Sequence, residues 1–335
     1  MIDIDFLWVG EKTKTGDAIT TQFTDPQTGR EVVVVIDGGF VDDGDRIASH
    51  VRTYYGTSHV DLMISTHPDD DHIKGLFKAI ETLDVDTLVI NRPSDFGHTR
   101  DDVKSPLTEE LVSAAGRRGT RVEPGYAGAT YFGGALRILG PSQHYYSALL
   151  SEQVKYASLT ASVGRALFKA ANAIVDAIRG VDRDPGETLT DDNGGTSPRN
   201  NTSIIVALSV EDVDVLFTGD AGVPALNDAL DYQASLGGLR TLDFFQMPHH
   251  GSRHNLDPST LDRVLGIDNG GIEKGIAFVS VGTEAHDFPR PEVANAAKRR
   301  GYPVSATRGQ NLRWHRGAAH RSSYIPCEPI GWLAE

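Results

Sequence analysis

Seven residues in three short stretches carry side chains suited to binding divalent cations: His67, Asp69, Asp71 and His72; Asp220; and His249 with His250. Imidazole nitrogen and carboxylate oxygen are the ligand types that first-row divalent metals take. Two histidines and three aspartates fall within the six residues His67–His72. On an extended segment, His67 and Asp69 share a face. Together the stretches supply enough ligands for two metals bridged by one carboxylate. An acidic helix start with incidental histidines is the plainer reading. It suits Asp70, but a strand end that gathers this much unpaired charge is costly without a cation.

Each stretch follows an apolar run. Val60–Ile64 precedes the first, Val213–Thr218 the second and Leu242–Met247 the third. A helical pattern over Ile73–Leu83 puts Asp71 and His72 in the turn entering a helix. Further strands are predicted at 2–9, Gly16–Phe23, Glu31–Ile36, Val85–Ile90, Leu136–Leu139, Ile204–Val210, Ile276–Val281, Val304–Ala306 and Leu312–His315. Helices are predicted near 44–55, 106–118, 224–235, 258–265 and 291–300. The order is that of an α/β (α+β) protein with sheets covered by helices.

From Tyr145 to Arg179, apolar residues recur at helical spacing, and 181–198 is rich in Asp, Gly, Thr and Pro. The 145–198 block therefore reads as a helical insertion in a single domain of residues 1–335. It is either a layer packed on the core, on a second copy or on a protein partner, or a lid over the site. The 335 residues carry a net charge of −14, which argues against nonspecific coating of nucleic acid. No run is long and apolar enough to span a membrane, and the N-terminus lacks the basic start of a signal peptide. A cytoplasmic location is expected. The lone cysteine, Cys327, excludes a disulfide framework and a cysteine-based metal site.

His67-Pro68-Asp69-Asp70-Asp71-His72 resembles the His-x-His-x-Asp-His signature of the metallo-β-lactamase fold, with Asp69 in place of the second histidine. With Phe217-Thr218-Gly219-Asp220 and Pro248-His249-His250-Gly251-Ser252, it is similar to the soluble hydrolase domain of the competence protein ComEC and its free-standing relatives. Phe6–Gly10 with Gly16–Ile19, Ile36–Gly39, Asn200–Ser203, and Ser280–Gly282 with Pro291–Val293 resemble further segments in family order. The resemblance covers most of the chain outside 145–198.

It implies an αββα sandwich holding one or two divalent ions, zinc or manganese, with magnesium as a further option. His67 and Asp69 would hold one metal, Asp71 and His72 the other. Asp220 would bridge them, and His249 or His250 would complete the second position. Relatives supply another histidine to the first metal, whereas Asn200–Ser203 contains none. An oxygen-rich first position shifts preference from zinc toward manganese or magnesium. The implied chemistry is metal-assisted hydrolysis, with Asp71 either a ligand or the group that orients water.

One segment departs from the pattern. Where relatives show Gly-His-Pro-His-Pro-Glu, this chain has Ala285-His286-Asp287-Phe288-Pro289-Arg290-Pro291-Glu292. His286 could take over an acid role. Arg290 could hold a phosphate through its planar fork. Between Arg290 and Arg321 there are eight Lys or Arg against one acid, Glu292. The leading expectation is a phosphodiesterase or nuclease acting on DNA, RNA or a nucleotide, with the basic segment lining a path for a polyanion. The alternatives are hydrolysis of a lactam, lactone or thioester, and a metal-stabilised interaction module.

Overall fold

Strands that are apolar without alternation belong in the middle of sheets covered on both faces, and Glu31–Ile36 is placed there. The computed structural model describes residues 1–10, 12–99, 106–163, 180–191, 195–324 and 327–334. With strands numbered in chain order, the first sheet contains β1 (Ile2–Phe6), β2 (Ile19–Thr24), β3 (Glu31–Ile36), β4 (His59–Ile64), β5 (Asp84–Val89), β6 (Arg121–Glu123) and β15 (Leu312–Arg316). Its order is β15-β1-β2-β3-β4-β5-β6. Pairing is antiparallel as far as β3 and parallel from β3 to β6.

The second sheet contains β7 (Thr130–Tyr131), β8 (Leu136–Gly140), β10 (Ile205–Val210), β11 (Val213–Phe217), β12 (Phe244–Gln246), β13 (Ile276–Val279) and β14 (Val304–Ala306). Its order is β14-β13-β12-β11-β10-β8-β7, parallel up to β11 and antiparallel beyond. A separate two-stranded ribbon joins β9 (Gly180–Val181) to β16 (Trp332–Leu333).

The inner faces of the two sheets pack on each other through a core that includes Ile4, Phe6, Phe23, Val34, Val206, Phe217, Phe244 and Phe278. Helices α1 (Asp43–Tyr54), α2 (Asp70–Thr82) and α3 (Pro106–Arg118) cover the first sheet through Ile47, Val51, Leu76, Ile80 and Leu111. Helices α5 (Val223–Ser235), α6 (Pro258–Leu265) and α7 (Pro291–Arg299) cover the second through Leu226, Leu261 and Val293. The architecture is the αββα sandwich. The short edge strands β6 and β7 have no counterpart in the sequence reading, because two or three residues carry no usable alternation.

The 145–198 block opens as α4 (Gln143–Val163), with Tyr146, Leu149 and Leu150 buried. The Tyr146 hydroxyl donates to the Asn91 carbonyl at 3.2 Å. The rest of the expected helix, residues 164–179, lies outside the described residues, as do 192–194. The segment read as a loop is tied down. Leu189 is in the core, and Asp184 and Glu187 grip Arg299 and Arg300.

Most of the C-terminal cations are engaged within the fold. Acids hold six of the eight, five of them from distant parts of the sequence. Arg299 and Arg300 pair with Asp184, Glu187 and Asp262, Arg313 and Arg321 with Asp3 and Asp5, Arg316 with Asp243, and Arg290 with Asp287. Lys298 lies over the Trp332 ring, and Arg308 donates to the Phe288 carbonyl. Net acidity supplies the partners, so the local excess of base along the chain is neutralised in space.

Candidate metal centre

The parallel halves of both sheets end at one edge of the sandwich, the place where strand carboxyl ends present ligand-binding loops. β4 ends at Ile64 and leads to His67, Asp69, Asp71 and His72. Its parallel neighbour β3 leads to Asp37. In the other sheet, β11 leads to Asp220 and β12 to His249 and His250. The structure thus brings all seven candidate ligands together.

Asp220 lies between them and is buried. Its Oδ1 is 3.4 Å from His72 Nε2, and its Oδ2 is 3.7 Å from His67 Nε2 and 3.5 Å from His249 Nε2. Asp69 Oδ2 is 3.7 Å from His67 Nε2. Asp71 Oδ2 is 3.9 Å from His72 Nε2 and 3.8 Å from His250 Nε2. Such separations are long for direct hydrogen bonds but suit ligands that share a cation at about 2 Å from each.

Neighbouring acceptors fix the four imidazoles. His72 Nδ1 donates to Asp37 Oδ2 at 2.8 Å, and His250 Nδ1 to the Ser280 carbonyl at 3.0 Å. His249 Nδ1 donates to Asn255 Oδ1 at 2.9 Å, and Asn255 is itself oriented because its Nδ2 donates to the Asp220 carbonyl. His67 Nδ1 donates to Thr66 Oγ1 at 3.0 Å, while that hydroxyl donates to Asp37 Oδ2. Each Nδ1 carries its proton outward, and each Nε2 faces the centre. Nε2 of His67, His72 and His250 and Oδ1 of Asp220 are buried without a hydrogen-bond partner. Buried polar atoms are rarely left so. Their convergence, and the nitrogen and oxygen donor set, fit a divalent metal.

The backbone at the histidine pair is unusual. His249 (φ 46°, ψ 52°) and His250 (φ 58°, ψ 20°) both adopt the left-handed conformation. Such a conformation costs a non-glycine residue about 1–2 kcal/mol and is retained where surroundings enforce it. Adjacent residues of an extended chain point to opposite sides. This turn instead brings both rings into the cluster, His249 facing Asp220 and His250 facing Asp71.

The acids and imidazoles shift one another's protonation. Burial alone would raise the Asp220 carboxyl, but His249, His72 and His67 hold it well below the usual carboxylate range. Asp71 is lowered against its burial by His72 and His250, and Asp69 by His67 and Arg199. Burial would lower His72, yet Asp220, Asp37 and Asp71 raise it well above the usual imidazole value, and His250 is raised by Asp71 and Asp220. Asp17, behind His72 and His250, is raised by its burial. Carboxylates that favour positive charge at His72 and His250 would equally favour a divalent cation.

Several contributors act through contacts that their places in the sequence do not disclose. Arg199 Nη1 is 3.0 Å from Asp69 Oδ1. Asn200 Nδ2 donates to Asp220 Oδ2 at 3.2 Å. Asp37, in the Ile36–Gly39 segment, organises His72 and Thr66. Asp69 is the N-cap of α2 but makes no side-chain capping bond, and the exposed Asp70 pairs with Lys74 at 2.6 Å. His286 is exposed, and among the described residues no contact joins it to the cluster. The Arg290 side chain lies 3.8 Å from Asp287 and beside the Phe288 ring, while its backbone N–H donates to the Gly251 carbonyl. Asp37→Ala is expected to weaken metal affinity about 10- to 100-fold, as loss of a partner behind a ligand does. Titration of the apo protein with Zn²⁺ or Mn²⁺ by calorimetry checks it.

Two mixed sheets packed face to face, helices outside, and a His/Asp centre at the strand ends define a metallohydrolase architecture. The family profile described as Metallo-beta-lactamase superfamily matches residues 27–263, a span that includes all seven candidate ligands, and the chain belongs to that superfamily. Its members are largely metal-dependent hydrolases that use divalent metals, typically zinc. No curated protein matches the sequence. Among solved structures, the chain is similar to the Rm3 metallo-beta-lactamase (13% identity, 88% of this chain and 90% of that one covered, TM-score 0.37). It is similar also to a putative metallo-beta-lactamase from Thermotoga maritima (10%, 65% and 78%, 0.36). A third is MEM-A1, a subclass B3 enzyme from a soil metagenome (14%, 88% and 93%, 0.35). Likenesses at this level say nothing of substrate. Among the described residues, no helix is long and apolar enough to cross a membrane.

Proposed function

We propose that the protein is a metal-dependent phosphodiesterase acting on a nucleotide or nucleic acid. The carrying observation is Asp220, whose two carboxylate oxygens face different groups: His72 on one side, His67 and His249 on the other. A carboxylate so placed suits a pair of metals, and paired metals suit in-line displacement at phosphorus. Divalent metal at this centre supplies Lewis acidity and lowers the pKa of water. Three aspartates, Asp69, Asp71 and Asp220, make the donor set hard, favouring manganese or magnesium beside zinc. Arg199 is the cation beside the centre, and its planar fork matches phosphate geometry.

A cavity of about 420 Å³ supports a nucleotide rather than a simple ester. It is lined by Trp8 and Phe40, by Lys14, Arg46 and Lys74, and by Asp42 and Asp43, of which Asp43 pairs with Arg46. Arg46 stacks on Trp8 at 4.0 Å, and Lys14 lies over Phe40 at 5.5 Å. Chain connections run from this cavity to the centre. Lys74 is two residues beyond His72 on α2, and Asp17, in the segment after Lys14, donates its N–H to the Asp71 carbonyl at 3.1 Å. Aromatic faces with cations hold base and phosphate together. Trp8→Ala is expected to raise KM about tenfold with kcat nearly unchanged, since a stacked base contributes about 1–3 kcal/mol.

The deciding experiment incubates the protein with bis(p-nitrophenyl) phosphate, cyclic dinucleotides, DNA and RNA in Mn²⁺, Mg²⁺ or Zn²⁺. A parallel panel holds lactams, lactones and thioesters. Phosphodiester cleavage that disappears in an Asp71→Ala/His72→Ala variant is the expected result. Turnover confined to the carbonyl panel, or equal cleavage by the variant, would sink the reading.

A further inference from the structure

We infer that His249 and His250 serve different metals, and that His249 is the third protein ligand of the His67–Asp69 position. The histidine-free segment Asn200–Ser203 supplies no nitrogen to that position, and His249 reaches it from another strand end. The inference rests on the two-metal part of the reading above and not on the substrate.

Three observations carry it. First, the two rings divide around Asp220. His250 Nε2 faces Asp71 Oδ2 at 3.8 Å, and Asp71, His72 and His250 form one group with ligand spacing. His249 Nε2 faces the opposite oxygen, Asp220 Oδ2, at 3.5 Å. His67 Nε2 faces that same oxygen at 3.7 Å. Second, Asn200 stands in this corner. Its Nδ2 lies 3.2 Å from Asp220 Oδ2 and 3.4 Å from His249 Nε2. Ser197 donates to the Asn200 Oδ1, so the amide nitrogen is the end turned to both. With the Nδ1 proton of His249 on Asn255, its Nε2 and Asp220 Oδ2 both accept at this one amide. Third, the proton on His249 Nδ1 is committed to Asn255, whose orientation Asp220 and Ala221 fix. The tautomer that can ligate through Nε2 is therefore the one the fold imposes.

The two sides differ in exposure at His249. Its side chain is 37% exposed against 5% for His250, while Asp69 and Asp71 match at 29% and 28% and His67 and His72 are both buried. Arg199 holds Asp69 by Oδ1 at 3.0 Å, leaving Oδ2 toward His67. An exposed position with a cation beside it binds its metal more weakly, so the His67–Asp69 metal is the one lost first.

The test counts metal rather than turnover. Full-length protein is loaded with Zn²⁺ or Co²⁺ and dialysed. Bound metal is measured by elemental analysis, the Co²⁺ ligand field by visible absorption, and folding by circular dichroism. Asp69→Ala marks the first position and Asp71→Ala the second. His249→Ala is expected to lose one of two equivalents and to leave the same Co²⁺ spectrum as Asp69→Ala. Adding Asp69→Ala to it is expected to remove no further metal. His250→Ala is expected to match Asp71→Ala. Two equivalents retained in folded His249→Ala, or a residual spectrum matching Asp71→Ala, overturns the assignment. So does a wild type that binds one equivalent whether or not His249 is present. Failure of the phosphodiesterase reading would show in the substrate panel and leave these counts untouched.

Discussion

Asp220→Asn is expected to abolish the thermal stabilisation by divalent metal and to lower turnover about a thousandfold or more, a loss of roughly 4 kcal/mol in transition-state stabilisation. The substitution keeps shape and volume. It replaces one carboxylate oxygen with an N–H donor, which cannot ligate, and removes the negative charge that faces His67, His72 and His249. Whichever way the amide turns, one side of the centre gains a donor aimed at an imidazole. The wild type at a metal concentration of about 100 Kd should gain about 2.7 kcal/mol, and the variant close to none. Thermal melts with and without Mn²⁺ or Zn²⁺ read this directly. A variant that keeps the full metal-dependent shift would show that Asp220 organises hydrogen bonds without joining the metal site.

What the sequence discloses and what it hides divide along chain distance. His67, Asp69, Asp71 and His72 are legible because they are crowded into one turn, and Asp220 and His249–His250 because each follows an apolar strand. Parallel strands then carry all three stretches to one edge of the sandwich. Asp37 was readable as a strand stop but not as the partner of His72, because that contact exists only through the register of β3 with β4. The split of the histidine pair was equally hidden, since it comes from two left-handed residues in succession rather than from residue type. Arg199, at the end of a loop, gave no pattern at all. The C-terminal arginines are the opposite case. Their clustering is plain and their pairing is not, because the acids that absorb them lie up to 318 residues away in sequence.

That absorption leads to the second large effect. Arg321→Ala is expected to destabilise the fold by about 3 kcal/mol at neutral pH, the cost of stripping one partner from a buried ion pair. Arg321 bonds Asp5 through Nη1 at 2.9 Å and Asp3 through Nη2 at 2.6 Å, with Asp5 fully buried. Its guanidinium also lies over Tyr54 at 4.6 Å, Tyr55 at 5.4 Å and Tyr324 at 5.5 Å. Burial alone would raise the Asp5 carboxyl. His50, 3.0 Å away, outweighs it, helped by Arg321 and the Tyr55 hydroxyl, and the carboxyl ends below its ordinary value. A carboxylate whose pKa is depressed on folding adds stability that is fully present above its unfolded pKa, about 3.9, and lost as pH falls through the folded value. The wild type should therefore weaken steeply below about pH 4. Arg321→Ala, with less depression of Asp5 to lose, should weaken less, so the gap between the two closes as pH falls. Urea unfolding of both proteins at pH 7 and pH 3 measures that gap. A gap that stays constant with pH would assign the loss to the three stacked tyrosines and leave the Asp5 charge without a part in it.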